Sequence, residues 1–331
     1  MEAPSADAAV RPAARTVPVS KALFAVAVWG ASFIATKIAL AEIAPVTVVW
    51  LRFAMGVAVL GVIVARRRQL ASPSPADLAY FTGLGFLGIT FHQWLQSNGL
   101  VTAQAGTAAW IVASTPIFMA LLGRLVLRER LGWVGTAGIA VAAFGVLAVV
   151  SKGDLAAVAA GRFGTPGDFL VLLSAPNWAV FSVLSRRGLR RHSSAGMMFW
   201  VMAAGWLLTT VLFLLGPGAA DVTDLSLRGW TAVAFLGVAC SGLAYVFWYD
   251  ALRELPASQV GAFLYLEPLV TVAVAAALIG EPVLLATVAG GCAILLGVWL
   301  VSRQPARSSA RPHPLTPSPE GEGENPEAPL L

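Results

Sequence analysis

The stretch LGWVGTAGIAVAAFGVLAVV, residues 131–150, carries no charged side chain from end to end. At about 1.5 Å of rise per residue, a helix of that length covers the roughly 30 Å of a bilayer's hydrocarbon. Its small residues also recur downstream. Shifted by 152 residues, Ala137-Gly138 falls on Ala289-Gly290 and Gly145-Val146 on Gly297-Val298. The same shift brings Leu84-Gly85 onto Leu236-Gly237, Leu100 onto Leu252, Ala105 onto Ala257, Pro116 onto Pro268 and Glu129 onto Glu281. Nearer the start, a shift of 149 aligns Trp29 with Trp178, Leu40 with Leu189 and Gly56 with Gly205. The chain is therefore one unit written twice.

Working outward, apolar blocks of about 20 residues lie at 22–40, 46–65, 78–97, 102–125, 131–150, 167–184, 195–215, 229–252, 258–279 and 283–301. The predicted fold class is all-α: a polytopic membrane protein of ten transmembrane helices in two five-helix repeats. Five is odd, so the second repeat would enter the membrane from the opposite side, giving inverted repeats. The expected organisation is a cytoplasmic segment over 1–21, a first repeat over 22–150 and an extracytoplasmic linker over 151–166. A second repeat over 167–301 and a disordered cytoplasmic tail over 302–331 complete it. Composition agrees, since 58% of the 331 residues are hydrophobic and 12% charged, against about 25% charged in soluble domains. A soluble enzyme is excluded.

The net charge of +5 does not point to nucleic acid, because the basic residues sit in short clusters between apolar blocks. With the N-terminus cytoplasmic, 17 of the 22 Lys and Arg fall on the inner side, including Arg66–Arg68 and Arg186, Arg187, Arg190 and Arg191. The outer side holds Lys152, Arg162 and Arg228, which leaves Lys37 and Arg52 within spans. The positive-inside rule thus predicts both termini in the cytoplasm and a multi-pass protein of the cell membrane. The first block is too long for a signal-peptide core and is expected to be a retained span. The tail has seven prolines and an acidic run of Glu320, Glu322, Glu324 and Glu327, with too little apolar content to order itself. Cys240 and Cys292 lack metal or redox spacing and are expected to act as small hydrophobes.

Trp29-Gly30-Ala31-Ser32-Phe33, Arg52, Thr115-Pro116-Ile117-Phe118 with Glu129-Arg130-Leu131, and Leu266-Glu267-Pro268 with Gly280-Glu281-Pro282 form paired signatures. Together with the duplication they resemble the EamA family of the drug/metabolite transporter superfamily, over roughly 22–301. The resemblance implies a permease that exports amino acids or related metabolites, with substrates differing widely among members.

Glu267 is the sharpest single signal. Nine residues into the ninth span, it would sit about 14 Å deep, near the bilayer midplane. A carboxylate there marks a wet cavity, where it could meet a substrate ammonium or carry a proton. Alternatively it satisfies carbonyls freed by Pro268. Its repeat counterpart is Thr115, followed by Pro116, and both prolines are expected to kink their helices. Arg52, six residues into its span, matches a substrate carboxylate or else pins neighbouring carbonyls. Lys37 is expected to snorkel to headgroups near Glu42.

In the third span His92 shares a helical face with Gln96. The repeat places Tyr245 and Trp248 opposite Gln93 and Gln96. Trp29, Trp110, Asn177, Trp178 and Tyr265 complete the expected substrate-binding lining. Aromatic walls suit apolar solutes or an ammonium through cation–π contact, though tryptophans also form interfacial belts. Glu129 and Glu281 each precede a helix start and are expected to be structural caps, with Pro282 at the first helical position. No metal site or cofactor is expected, His92 having no second histidine near it. Hydrolytic and nucleotide-binding motifs are missing, so no enzyme is expected. The expected partners are a small-molecule substrate and the bilayer, with the duplication favouring a monomer. The reading is a secondary transporter; a non-transporting membrane scaffold is the alternative, and indifference to loss of Glu267 would mark it.

Overall fold

The computed structural model describes residues 12–126, 132–160, 164–216, 218–255, 260 and 263–302. Among them every regular element is helical. The helices are α1 (Pro12–Leu40), α2 (Pro45–Arg66), α3 (Pro75–Gly85), α4 (His92–Thr102), α5 (Ala105–Val112), α6 (Thr115–Val126), α7 (Trp133–Val150) and α8 (Leu155–Ala159). They continue with α9 (Pro166–Leu189), α10 (Ser194–Leu215), α11 (Gly218–Val222), α12 (Leu227–Ala234), α13 (Ala244–Glu254), α14 (Glu267–Ile279) and α15 (Leu285–Ser302). Seven helices, counting joined segments, are long and apolar enough to cross a membrane, and Leu264–Ile279 and Leu285–Val301 are shorter apolar helices. The stretch 75–102 is not among the seven, because His92, Gln93, Gln96 and Asn98 dilute its mean hydropathy.

Local chemistry fixes the helix starts. Ser74, Thr165, Ser193 and Ser226 are N-caps whose hydroxyls accept backbone N–H groups of α3, α9, α10 and α12. Thr165 and Asp168 form a reciprocal capping box before α9, and Pro45, Pro75 and Pro166 occupy the opening turns of α2, α3 and α9. α14 stops at Gly280, whose φ of 65° is left-handed.

The duplication has a structural counterpart. α3 and α4 are joined by a π-helical segment, Phe86–Phe91, and α12 and α13 by another, Phe235–Leu243. α2 packs on the second π segment and α10 on the first. A Cβ at Gly56 would stand 2.6 Å from the Ser241 Cβ, and one at its counterpart Gly205 2.5 Å from the Ile89 Cβ. α7 and α15 form the most extensively packed pair. There a Cβ at Gly145 would meet the Gly290 carbonyl at 2.6 Å, and one at Gly138 the Gly297 carbonyl at 2.7 Å. The close approach lets two backbones touch without a void, as small residues do between membrane helices.

Some boundaries differ from the sequence reading. The first helix starts at Pro12 rather than 22, and the 151–166 linker contains α8. The block at 102–125 is broken between α5 and α6, with Pro116 the second residue of α6. α15 begins at Leu285, so Pro282 lies in the preceding link and not at a first helical position. Glu129 and the tail beyond Ser302 lie outside the described residues.

Candidate functional site

Arg52 lies on the inner face of α2 and is only 8% exposed. Its Nε donates to Ser241 Oγ at 2.9 Å, and one terminal nitrogen donates to Gln93 Oε1 at 3.1 Å. Both acceptors are neutral, and no described carboxylate lies within ion-pair distance of the guanidinium. A buried cation is costly unless a partner offsets its lost hydration. The two hydrogen bonds orient Arg52 but leave its charge uncompensated.

The guanidinium lies 5.3 Å from the centre of the Phe53 ring, and an aromatic group adjoins its Ser241 anchor. The Trp29 indole donates to the Cys240 carbonyl at 3.2 Å, and its ring lies 5.5 Å from Tyr245 and 5.2 Å from Trp248. Three helices meet here, because α1 packs along α13 and the second π segment. Next to Trp29, Gly30 lets α1 touch the start of α14: a Cβ there would stand 2.8 Å from the Glu267 carbonyl. Thr271 Oγ1 ties the two helices, 2.8 Å from the Gly30 carbonyl and 3.0 Å from that of Glu267.

Glu267 is the first residue of α14, directly after a 3₁₀ turn at Leu264–Leu266, with Pro268 in the first turn. The helix break places the carboxylate at a helix N-terminus, where the backbone dipole favours negative charge. No described residue forms an ion pair with it.

A second group adjoins through α4. The His92 ring lies 4.7 Å from Trp178, and Asn177 Nδ2 donates to the Leu87 carbonyl of the first π segment at 2.8 Å. His92 Nδ1 is buried without a partner among the described residues. Gln96 is half-buried on α4. Trp110 and Tyr265 belong elsewhere: they join the cluster of Ala142, Val149, Ile294 and Val298 against α7 and α15, where a Cβ at Gly291 would strike the Trp110 ring at 2.5 Å.

Two charged residues differ from expectation. Lys37 turns inward instead of snorkelling beside Glu42: its Nζ donates to the Ala103 carbonyl at 2.6 Å and lies 3.8 Å from Glu281. Glu42 is occupied by Ser226, accepting its N–H and its hydroxyl at 2.7 Å each. Glu281 is a cap, but not of the helix that follows it. Its oxygens accept the Ala105 and Gly106 N–H groups at 2.9 and 3.1 Å, so it caps α5 in the other half.

Ser241, which accepts the Arg52 Nε hydrogen bond, is the candidate-site residue the sequence reading missed. A serine in an apolar run carries no signal alone. The repeat could have flagged it: the counterparts of Arg52 and Ser241 are Val201 and Ile89, apolar where the pair is polar.

Fold and site define a multi-pass helical membrane protein with unpaired charge and aromatic rings gathered inside the bundle. Residues 17–151 and 165–303 each match the model of the EamA-like transporter family, and the chain belongs to that family of transporters, not to an enzyme family. A protein of Archaeoglobus fulgidus named an uncharacterized transporter is 28% identical over 275 residues, 83% of this chain and 93% of its own. A probable terminal-alkyne amino-acid exporter of Streptantibioticus cattleyicolor is 30% identical over 298 residues, 86% of this chain and 95% of its own. A solved crystal structure matches with a TM-score of 0.60 at 20% identity, over 87% of this chain and 98% of that one, and shares the fold.

Proposed function

We propose that this transporter exports amino acids or closely related zwitterionic amines across the cell membrane. The observation that carries the reading is Arg52: a buried cation oriented by Ser241 and Gln93 and lacking a described anionic partner. A planar guanidinium so held suits a carboxylate. Glu267 offers the opposite charge for the ammonium, or takes up a proton during turnover, and Trp29, Tyr245 and Trp248 supply an apolar or cation–π wall. The amino-acid exporter of Streptantibioticus cattleyicolor supports the same substrate class.

The working cycle is alternating access between two inverted five-helix repeats with ten crossings, both termini cytoplasmic, in a monomer. The reciprocal packing of α2 and α10 on the two π segments supports it. So does the break before α14, since transporter sites use discontinuous helices whose N-termini face the ligand. Trp178, Asn177, His92 and Gln96 line the approach beside the Arg52 group. Trp110 and Tyr265, packed against α7 and α15, line a more distant part of the path.

The test is flux from liposomes loaded with labelled amino acids and amines, with and without a pH gradient. Selective flux of zwitterions that Glu267→Gln abolishes in folded protein is the expected result. Flux indifferent to Glu267→Gln and Arg52→Gln, or no flux for any zwitterion, overturns it.

A further inference from the structure

The two halves bring their arginine clusters to one patch. Tyr80 Oη donates to the Leu184 carbonyl at 2.6 Å and accepts the Gly188 N–H at 3.1 Å. Asp77 lies 3.3 Å from His192, and Trp200 Nε1 donates to the Ala71 carbonyl at 3.0 Å. These contacts seat the start of α3 against the end of α9, and the link before it against α10, where a Cβ at Gly196 would stand 2.6 Å from the Gln69 carbonyl. Arg66 and Arg68, next to Gln69, and Arg186, Arg187, Arg190 and Arg191, just before His192, are all exposed at this same end of the bundle and make up one basic patch.

The acidic side chains nearby are already engaged. Asp77 accepts from Ser74 and faces His192. Asp250 holds Arg67 through two hydrogen bonds of 2.6 and 3.1 Å and Lys21 at 3.0 Å. None of the six patch arginines is paired with a described carboxylate. Beside them Leu78, Leu184 and Leu189 stand 46%, 46% and 39% exposed. An acidic peptide would use the charge and leave these leucines idle. A lipid uses both, its phosphate on the arginines and its acyl chain on the leucines.

We propose that this patch is a binding site for an anionic phospholipid of the adjoining leaflet. Each basic side chain near a bilayer surface adds to the attraction for anionic headgroups, and arginine grips phosphate in a bidentate fork.

Native mass spectrometry of the full chain, released from vesicles of equal phosphatidylglycerol and phosphatidylethanolamine, tests it. Phosphatidylglycerol is expected to be retained at least ~10-fold over phosphatidylethanolamine, with the preference falling as salt rises. R186Q/R187Q/R190Q/R191Q should bring retention close to parity. The four-lysine version keeps the charge that insertion needs and should hold a weaker, salt-sensitive preference. Parity in the wild type, a preference unmoved by the glutamines, or one indifferent to salt overturns the proposal. Displacement of the lipid by matched inorganic phosphate would also overturn it, in favour of a free-anion site. A preference that emerges only after deletion of residues 303–331 overturns it in favour of the chain's own acidic tail.

Discussion

Arg52 in the first half of the chain is held by Ser241 in the second, through a hydrogen bond of 2.9 Å. The cation that would meet a substrate carboxylate is therefore aimed from across the boundary between the two copies. Ser241→Ala removes that restraint while leaving the charge. Transport of zwitterions should then show a KM about 3- to 10-fold higher with folding unchanged, the size of one net hydrogen bond. Arg52→Lys keeps the charge but loses the planar fork, and should cost ~10-fold or more in kcat/KM. Initial rates in proteoliposomes check both.

Glu267→Gln keeps the shape of the side chain at the head of α14 and removes its charge. Net flux should fall by at least ~10-fold, while thermal unfolding in detergent moves little. A scaffold would be indifferent to the change. A midplane carboxylate that only satisfied local carbonyls would lose stability instead of flux.

Glu42 links the turn after α1 to the cap of α12, and the Ser226 hydroxyl and N–H hold its carboxyl below the usual carboxylate range. A group whose folded pKa is depressed stabilises the protein above its unfolded value of about 4.3. That contribution is lost as pH falls through the lower folded value. Glu42→Gln should therefore flatten the acid limb of the stability profile. Melting temperatures at about pH 7 and about pH 4 give the comparison, with the wild type losing more than the variant.

Glu281 accepts two N–H groups at the start of α5 and stands 3.8 Å from Lys37. Glu281→Ala strips the cap and leaves Ala105 and Gly106 without their acceptors. The loss should be about 1–2 kcal/mol of stability, as for other N-caps. Denaturation midpoints measure it, and Glu281→Gln, which retains one acceptor oxygen, should recover about half.

Much of this was legible in the sequence because the bilayer constrains it so strongly. Charge-free blocks such as 131–150 have one way to satisfy their backbone in lipid, and the helix is that way. Arg52 and Gln93 were legible because polar residues stand out against an apolar background. Orientation was not. Trp110 looks the same in sequence as Trp29, yet one packs against Gly291 and the other against Tyr245 and Trp248. The partner of Lys37 and the helix that Glu281 caps were illegible for the same reason: Ala103 and Ala105 lie far along the chain and become neighbours only once α1, α5 and the link before α15 converge. Periodicity reports which face a residue occupies, and says nothing of what the face meets.

The glycine contacts between α7 and α15 bear on how a tolerance map of this protein is to be interpreted. Gly138, Gly145, Gly290 and Gly297 each lack room for a single extra carbon against the opposing backbone. A saturation screen scored on growth would mark these four as intolerant as Arg52 or Glu267, though what they meet is the backbone of the opposing helix. Abundance separates the two kinds of intolerance: bulk at the glycines should empty the membrane of protein, whereas Arg52→Gln and Glu267→Gln should leave it stocked with protein that no longer moves its cargo.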